Sequence, residues 1–348
     1  MRYARDVCRA SPRPPGRGGG LARAAATAGL ALLVGAMLWP GPAPAAEAPA
    51  PAPPKAAGQT VCIWFSRDLP PYREAVEGFK ARLGAKDGYT YVERIVTETE
   101  VGRLVEAIKK THPALILALG TEAGKVAAVH AEDTPVLFTM VANPVDSGIL
   151  PRRKYPAQMV AGVTTDISPR KQFEALRRVL PGAKRIAVIY CPQYTEATVT
   201  VAETDAQAMG IQLVRLPVEP FRVDPAVERL EKERVDALWT VTDPGVMVPA
   251  SARRILTATL KAKIPVIGFS PAMVRAGALL GLGIEAKTIG EQTGEVALAI
   301  LRGGKTPADF SLVYPEKTTI HVNLGVATRI GLKLPDDMVA AAETVQGE

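Results

Sequence analysis

From residue 59 onward the chain alternates short, wholly apolar runs with amphipathic stretches of helical period, and this alternation constrains the fold more than any other feature. Val61–Phe65, Leu115–Leu119, Val136–Val141, Ile186–Tyr190, Ala237–Val241 and Ile264–Gly268 are rich in β-branched residues and apolar throughout. A strand with no polar face must be covered on both sides, as in a parallel sheet flanked by helices. Tyr89–Ile95, Ile211–Val218 and Ala278–Leu282 are weaker strand candidates. Helical periodicity predicts helices over Tyr72–Leu83, Val101–Lys110, Glu122–His130, Lys171–Val179, Thr195–Met209 and Ala286–Leu301. The strand–helix series runs over residues 60–163 and starts again after Thr164–Pro169, at Pro181-Gly182-Ala183-Lys184. Two α/β lobes with a ligand cleft between them are therefore expected.

The N-terminus reads differently. Six arginines (Arg2, Arg5, Arg9, Arg13, Arg17, Arg23) precede the apolar run Ala24–Trp39, which leads to the small residues Ala43-Pro44-Ala45-Ala46. Charged, apolar and small-residue segments in that order predict a secretory signal peptide over residues 1–45, cleaved near Ala45, and hence a periplasmic protein. Residues 46–58 are rich in Pro and Ala and read as an extended tether. The leader also explains the charge. The chain has 42 Lys and Arg against 35 Asp and Glu. Taking six from the first and one, Asp6, from the second leaves 36 against 34, a net charge of +2, too little to attract nucleic acid in bulk. Cys62 and Cys191 lie some 130 residues apart in or beside strands, and two unpaired thiols are expected.

Motifs for catalysis are weak. Gly120-Thr121-Glu122-Ala123-Gly124-Lys125 is one residue short of a phosphate loop, and no Gly-x-Gly-x-x-Gly opens a helix, so no cofactor is expected. The three histidines, His112, His130 and His321, are scattered without Cys or carboxylates at ligand spacing, so no metal is expected. Gly268-Phe269-Ser270-Pro271-Ala272 lacks the second glycine of a nucleophile elbow. A hydrolase built on Ser270 and His321 is thus the weakest alternative, and the chain is read as a non-enzyme.

Polar groups instead gather at predicted strand ends. Ser66-Arg67-Asp68, Gly120-Thr121-Glu122 and Asn143-Pro144 do so in the first lobe; Tyr194-Thr195, Thr242-Asp243 and Ser270 do so in the second. Each alone is explained by helix capping. Together they describe a polar site across a cleft, where helix N-termini face the ligand. Arg67, Asp68, Glu122, Asp243 and Glu285 could pair with both charges of a zwitterion, although Arg67 and Asp68 could equally neutralise each other. Tyr72 and Tyr194 offer flat surfaces to an apolar or aromatic ligand.

Ala114–Ala123, Phe138–Leu150 with Asn143-Pro144-Val145-Asp146-Ser147-Gly148, Gly162-Val163-Thr164, Leu180–Tyr190, Lys263–Gly268, Met273–Leu279, Gly290–Glu295, Asn323-Leu324 and Gly331-Leu332 together resemble one family, in consistent order over residues 60–336. They resemble the substrate-binding proteins of ABC transporters, in the group of tryptophan- and tyrosine-type binders. The resemblance implies an α/β type I periplasmic-binding-protein fold, with two Rossmann-like lobes and parallel sheets joined by a hinge. It places residues 59–163 plus 286–320 in an N-terminal lobe and 164–285 plus 321–348 in a C-terminal lobe. Crossings would fall near Gly162–Thr165, Ile284–Ala286 and His321–Asn323. By the same resemblance Ser66, Arg67, Asp68, Thr121, Glu122, Asn143, Tyr194, Thr195, Asp243 and Ser270 contact a small polar or zwitterionic ligand, with an amino acid as one candidate. An ABC permease in the membrane would be the partner and the binder would be a monomer; a ligand-sensing domain for a membrane receptor is the alternative. Three loops depart from the family pattern: Asn143-Pro144 stands where Asp-Pro is common, Cys191-Pro192 where Asn-Pro is common, and Ile284-Glu285-Ala286 where Asp-Tyr-Tyr is frequent.

Overall fold

A computed structural model describes residues 59–84, 88–152 and 158–346. The expected leader and tether lie outside the described residues. The first lobe opens with β1 (Thr60–Phe65), α1 (Pro70–Leu83), β2 (Thr90–Ile95), α2 (Val101–Thr111), β3 (Leu115–Leu119), α3 (Thr121–His130), β4 (Val136–Val141) and β5 (Val160–Thr164). The second runs through α4 (Pro169–Val179), β6 (Arg185–Tyr190), α5 (Pro192–Ala208), β7 (Gln212–Pro217), α6 (Asp224–Lys232), β8 (Ala237–Trp239), α7 (Pro249–Lys261), β9 (Val266–Gly268), α8 (Pro271–Ala276) and β10 (Leu280–Gly283). The chain then returns with α9 (Ala286–Leu301), α10 (Pro307–Phe310) and β11 (Leu312–Val313). It ends with β12 (Thr319–Asn323), α11 (Leu324–Ile330), α12 (Asp336–Ala340) and β13 (Ala342–Gln346).

Two sheets result. The first is parallel, in the order β11-β5-β4-β3-β1-β2; the second is β13-β12-β10-β9-β8-β6-β7, parallel except where β10 meets β12. The apolar runs behave as their composition demands. Along β1, Val61, Ile63 and Phe65 enter one core, beneath α1 and α9, while Cys62 and Trp64 enter the other. Cys62 and Cys191 are buried and free.

Helices α1 and α9 approach so closely that only glycine fits at their crossing. A Cβ on Gly290 would lie 1.9 Å from the Ala75 carbonyl oxygen, and one on Gly78 2.1 Å from that of Lys287. This packing carries α9 back onto the first sheet after β10 has completed part of the second.

The chain passes between the sheets three times: Thr165–Ser168 between β5 and α4, Ile284–Glu285 between β10 and α9, and Tyr314–Thr318 between β11 and β12. The third passage precedes the expected His321–Asn323, which lies inside β12 because residues 319–322 pair antiparallel with β10. Strand order reverses between β1 and β3 in one sheet and between β6 and β8 in the other. In open α/β sheets ligands settle at such switch points, beyond the carboxyl ends of the strands.

Candidate functional site between the lobes

The loop after β4 reaches across to the second lobe. Asn143, held in a left-handed conformation (φ 48°), donates from Nδ2 to the Thr242 carbonyl oxygen (2.6 Å), and its Oδ1 accepts from Thr198 Oγ1 (3.2 Å). Three residues on, the Asp146 carboxylate accepts from the backbone N–H groups of Ala197 (3.1 Å) and Thr198 (3.3 Å). Those amides are free because α5 is kinked at Thr195 (φ −142°), so a new helical N-terminus begins there and takes its anionic cap from the opposite lobe. Burial raises the Asp146 carboxyl above the ordinary carboxylate range, against the lowering effect of these bonds.

Beside these bridges lies a cavity of about 320 Å³ with walls from both lobes and from the first and third passages. Asn143 and Val145 border it from the first lobe, Trp239, Thr242 and Phe269 from the second, and Asp166 and Tyr314 from the passages. Asp166 is half-buried, and its Oδ2 accepts from Asn143 N (2.6 Å) and Thr164 Oγ1 (2.9 Å). Burial pushes its carboxyl up to about 6, with the Asp146 charge adding to the rise. The Tyr314 phenol is pushed up to about 12 by burial and by the charges of Asp166 and Asp205. Trp239 Nε1 donates to Gln172 Oε1 (2.9 Å), which fixes the indole in the cavity lining.

The residues expected from sequence divide into three groups. Asn143 and Thr242 line this cavity. Ser66, Tyr72 and Gly120 meet at the switch point of the first sheet. There the Ser66 hydroxyl accepts from Ala123 N (2.9 Å), and Gly120 (φ 85°) leaves room for the Tyr72 hydroxyl. Thr121 and Glu122 open α3 in the same corner, and Tyr194 rests on Gly245 at the corresponding place of the second sheet. The third group is structural. Asp243, 1% exposed, accepts from Cys191 N (2.7 Å), Thr195 Oγ1 (2.5 Å), Gly245 N (2.8 Å) and Val246 N (3.1 Å), which occupies both carboxylate oxygens and buries Thr195 with it. Asp68 pairs with Arg73 and not with Arg67, and Glu285 accepts from Thr288 Oγ1 (3.1 Å) at the start of α9. Ser270 caps α8 through Met273 N (3.4 Å), while His321 Nε2 is bonded to Thr319 Oγ1 (2.8 Å), so no hydrogen bond joins Ser270 to His321.

Asp166, Phe269, Trp239 and Tyr314 were not among the residues expected from sequence. One signal is present in the sequence, since Asp166 follows a strand end as Arg67 and Asn143 do, but the central glycine of Val160–Thr164 dilutes the strand pattern there.

The profile describing the ABC transporter substrate binding protein matches residues 72–346. The chain belongs to this family. A tyrosine-binding protein of Clostridioides difficile (strain R20291) is 27% identical over 212 residues, a match that spans 60% of this chain and 60% of the length of that relative. The ligand-free, open structure of a substrate-binding protein with adhesive properties from Clostridium difficile superposes with a TM-score of 0.64 at 24% identity, over 83% of this chain and 100% of that one. A Streptococcus pneumoniae ABC domain in complex with L-Trp gives 0.53 at 20% identity, over 82% and 99%. At such identities the structural likeness establishes the fold, a periplasmic-binding-protein architecture of two lobes. Among the described residues no helix is long and apolar enough to cross a membrane.

Proposed function

We propose that this family member is exported and captures a small zwitterion between its lobes, an aromatic amino acid being the favoured class, and delivers it to a membrane permease. The observation that carries this reading is the cavity shared by both lobes at the passages, walled by Trp239, Phe269 and Tyr314 and bordered by polar groups of both sheets. A ligand there touches both lobes at once. It therefore binds the closed arrangement more tightly than the open one and shifts the equilibrium toward closure. The aromatic walls suit a ring, and the relatives named for tyrosine and solved with L-Trp point the same way. Arg67, Thr121, Glu122 and Tyr194, at the carboxyl ends of the two sheets, are proposed to complete the polar contacts on closure. Ser270 and His321 are each bonded elsewhere, which supports binding without hydrolysis.

Thermal unfolding against a panel of amino acids, nucleosides, sugars and organic anions, followed by calorimetric titration, tests the reading. A ligand at a thousandfold excess over its Kd stabilises the folded state by about 4 kcal/mol. Tyrosine or tryptophan is expected to do so. Stabilisation by sugars alone, or ester turnover lost in Ser270→Ala, would contradict it.

A further inference from the structure

Asp166 makes both of its hydrogen bonds through Oδ2. Its Oδ1 accepts from no described residue, yet the side chain borders the cavity beside Tyr314 and Phe269. Glu196, the other carboxylate on the wall, is held by Arg215 and Tyr190. Arg152, the cationic group among the described lining residues, acts on Asp146, whose carboxyl its charge lowers. The cavity thus presents one uncommitted carboxylate oxygen, on a side chain held by a backbone N–H and a threonine hydroxyl, in a space that aromatic side chains also line, which is an environment that suits an ammonium ion. The strand-end loop cannot fill this role here, because Asn143 is neutral and its amide group is committed to the opposite lobe.

We infer that Asp166, in the first passage between the lobes, is the seat for a ligand ammonium group, so that the amine binds at the hinge and not at the strand-end acids. This rests on the reading of the cavity as the ligand site. An amine placed there is in contact with one of the three passages that must bend on closure, which couples recognition of charge to lobe movement.

The test uses calorimetric titration of the whole protein with three probes: L-tyrosine, tyramine, which keeps the amine, and 3-(4-hydroxyphenyl)propionate, which lacks it. Tyrosine and tyramine are expected to bind at least tenfold more tightly than the propionate. Asp166→Asn is expected to lower the affinity of both amines at least tenfold and leave the propionate unchanged. The asparagine keeps a carbonyl oxygen for Asn143 N and Thr164, and its unfolding midpoint at neutral pH reports whether it folds. A second readout needs no variant. Only the ionised carboxylate holds an amine, so tyramine affinity should reach its plateau only well above pH 6 and fall as the pH is lowered through about 6. Glu196, Tyr314 and Arg152 line the same cavity and the Asp146 charge acts on Asp166 from outside it, and Asp166→Asn should remove the part of this dependence that belongs to Asp166.

Equal binding of tyrosine and the propionate, or full tyrosine affinity in Asp166→Asn, would overturn the amine seat while leaving the amino-acid reading intact. Asp166-dependent binding of tyramine without tyrosine would uphold the seat and overturn the amino-acid reading. Silence from all three probes would overturn both.

Discussion

At the scale of single residues, the distinction that matters is between a carboxylate that is spent and one that is free. Asp243 and Asp166 both follow strands of an α/β lobe, and composition cannot tell them apart. Asp243 is buried with one oxygen engaged by its own loop and the other by Cys191 and Thr195, so that it closes the turn after β8 onto the start of α5. Asp243→Ala would leave those buried donors without an acceptor, at a cost of about 3 kcal/mol in a urea unfolding experiment, since unsatisfied buried groups cost about 1–3 kcal/mol each and the loop relaxes in part. A variant that unfolds normally but loses ligand would show instead that Asp243 faces the ligand. Sequence reasoning placed Asp243 in the site because a polar residue past a strand end suits capping and binding equally well. Only the hydrogen-bond geometry separates the two.

At the scale of elements, the central strands were legible because they are apolar on both faces, and their ends fall within a few residues of expectation. The strands that were missed are those whose pattern is diluted. Val160–Thr164 carries a glycine at its centre, β11 is two residues long, and Thr319–Asn323 alternates Thr319, His321 and Asn323 with only two apolar residues, Ile320 and Val322. The Asp166 site was hidden for the same reason: without β5 in view, the residue past its end had no special place. The α1–α9 crossing makes a sharper element-level prediction. Gly290→Ala pushes a methyl group into the Ala75 carbonyl and should destabilise the fold by about 1–3 kcal/mol, the usual cost of overpacking. Gly102→Ala, in α2 with nothing within 4 Å of the added carbon, should be neutral or stabilising by up to about 1 kcal/mol. The two unfolding midpoints, measured side by side, check the claim; equal midpoints would refute it.

At the scale of the whole molecule, the two sheets are joined by three passages and also by direct bonds from Asn143 and Asp146. The second set can break without unfolding either lobe. Asp146→Ala removes the carboxylate that caps α5 from across the cleft, so the lobes should separate more readily. Small-angle scattering without ligand should then give a larger radius of gyration than the parent protein, with ligand affinity reduced several-fold as the closed population falls. An unchanged radius and affinity would mean that the passages alone set the lobe arrangement.

The most direct test of capture between the lobes is amide hydrogen exchange with and without saturating L-tyrosine. The account predicts slowed exchange in both lobes and the passages together, at Thr121–Ala123, Asn143–Val145, Ala197–Thr198, Phe269 and Thr165–Ile167. Protection confined to one lobe, or none at all, would contradict it.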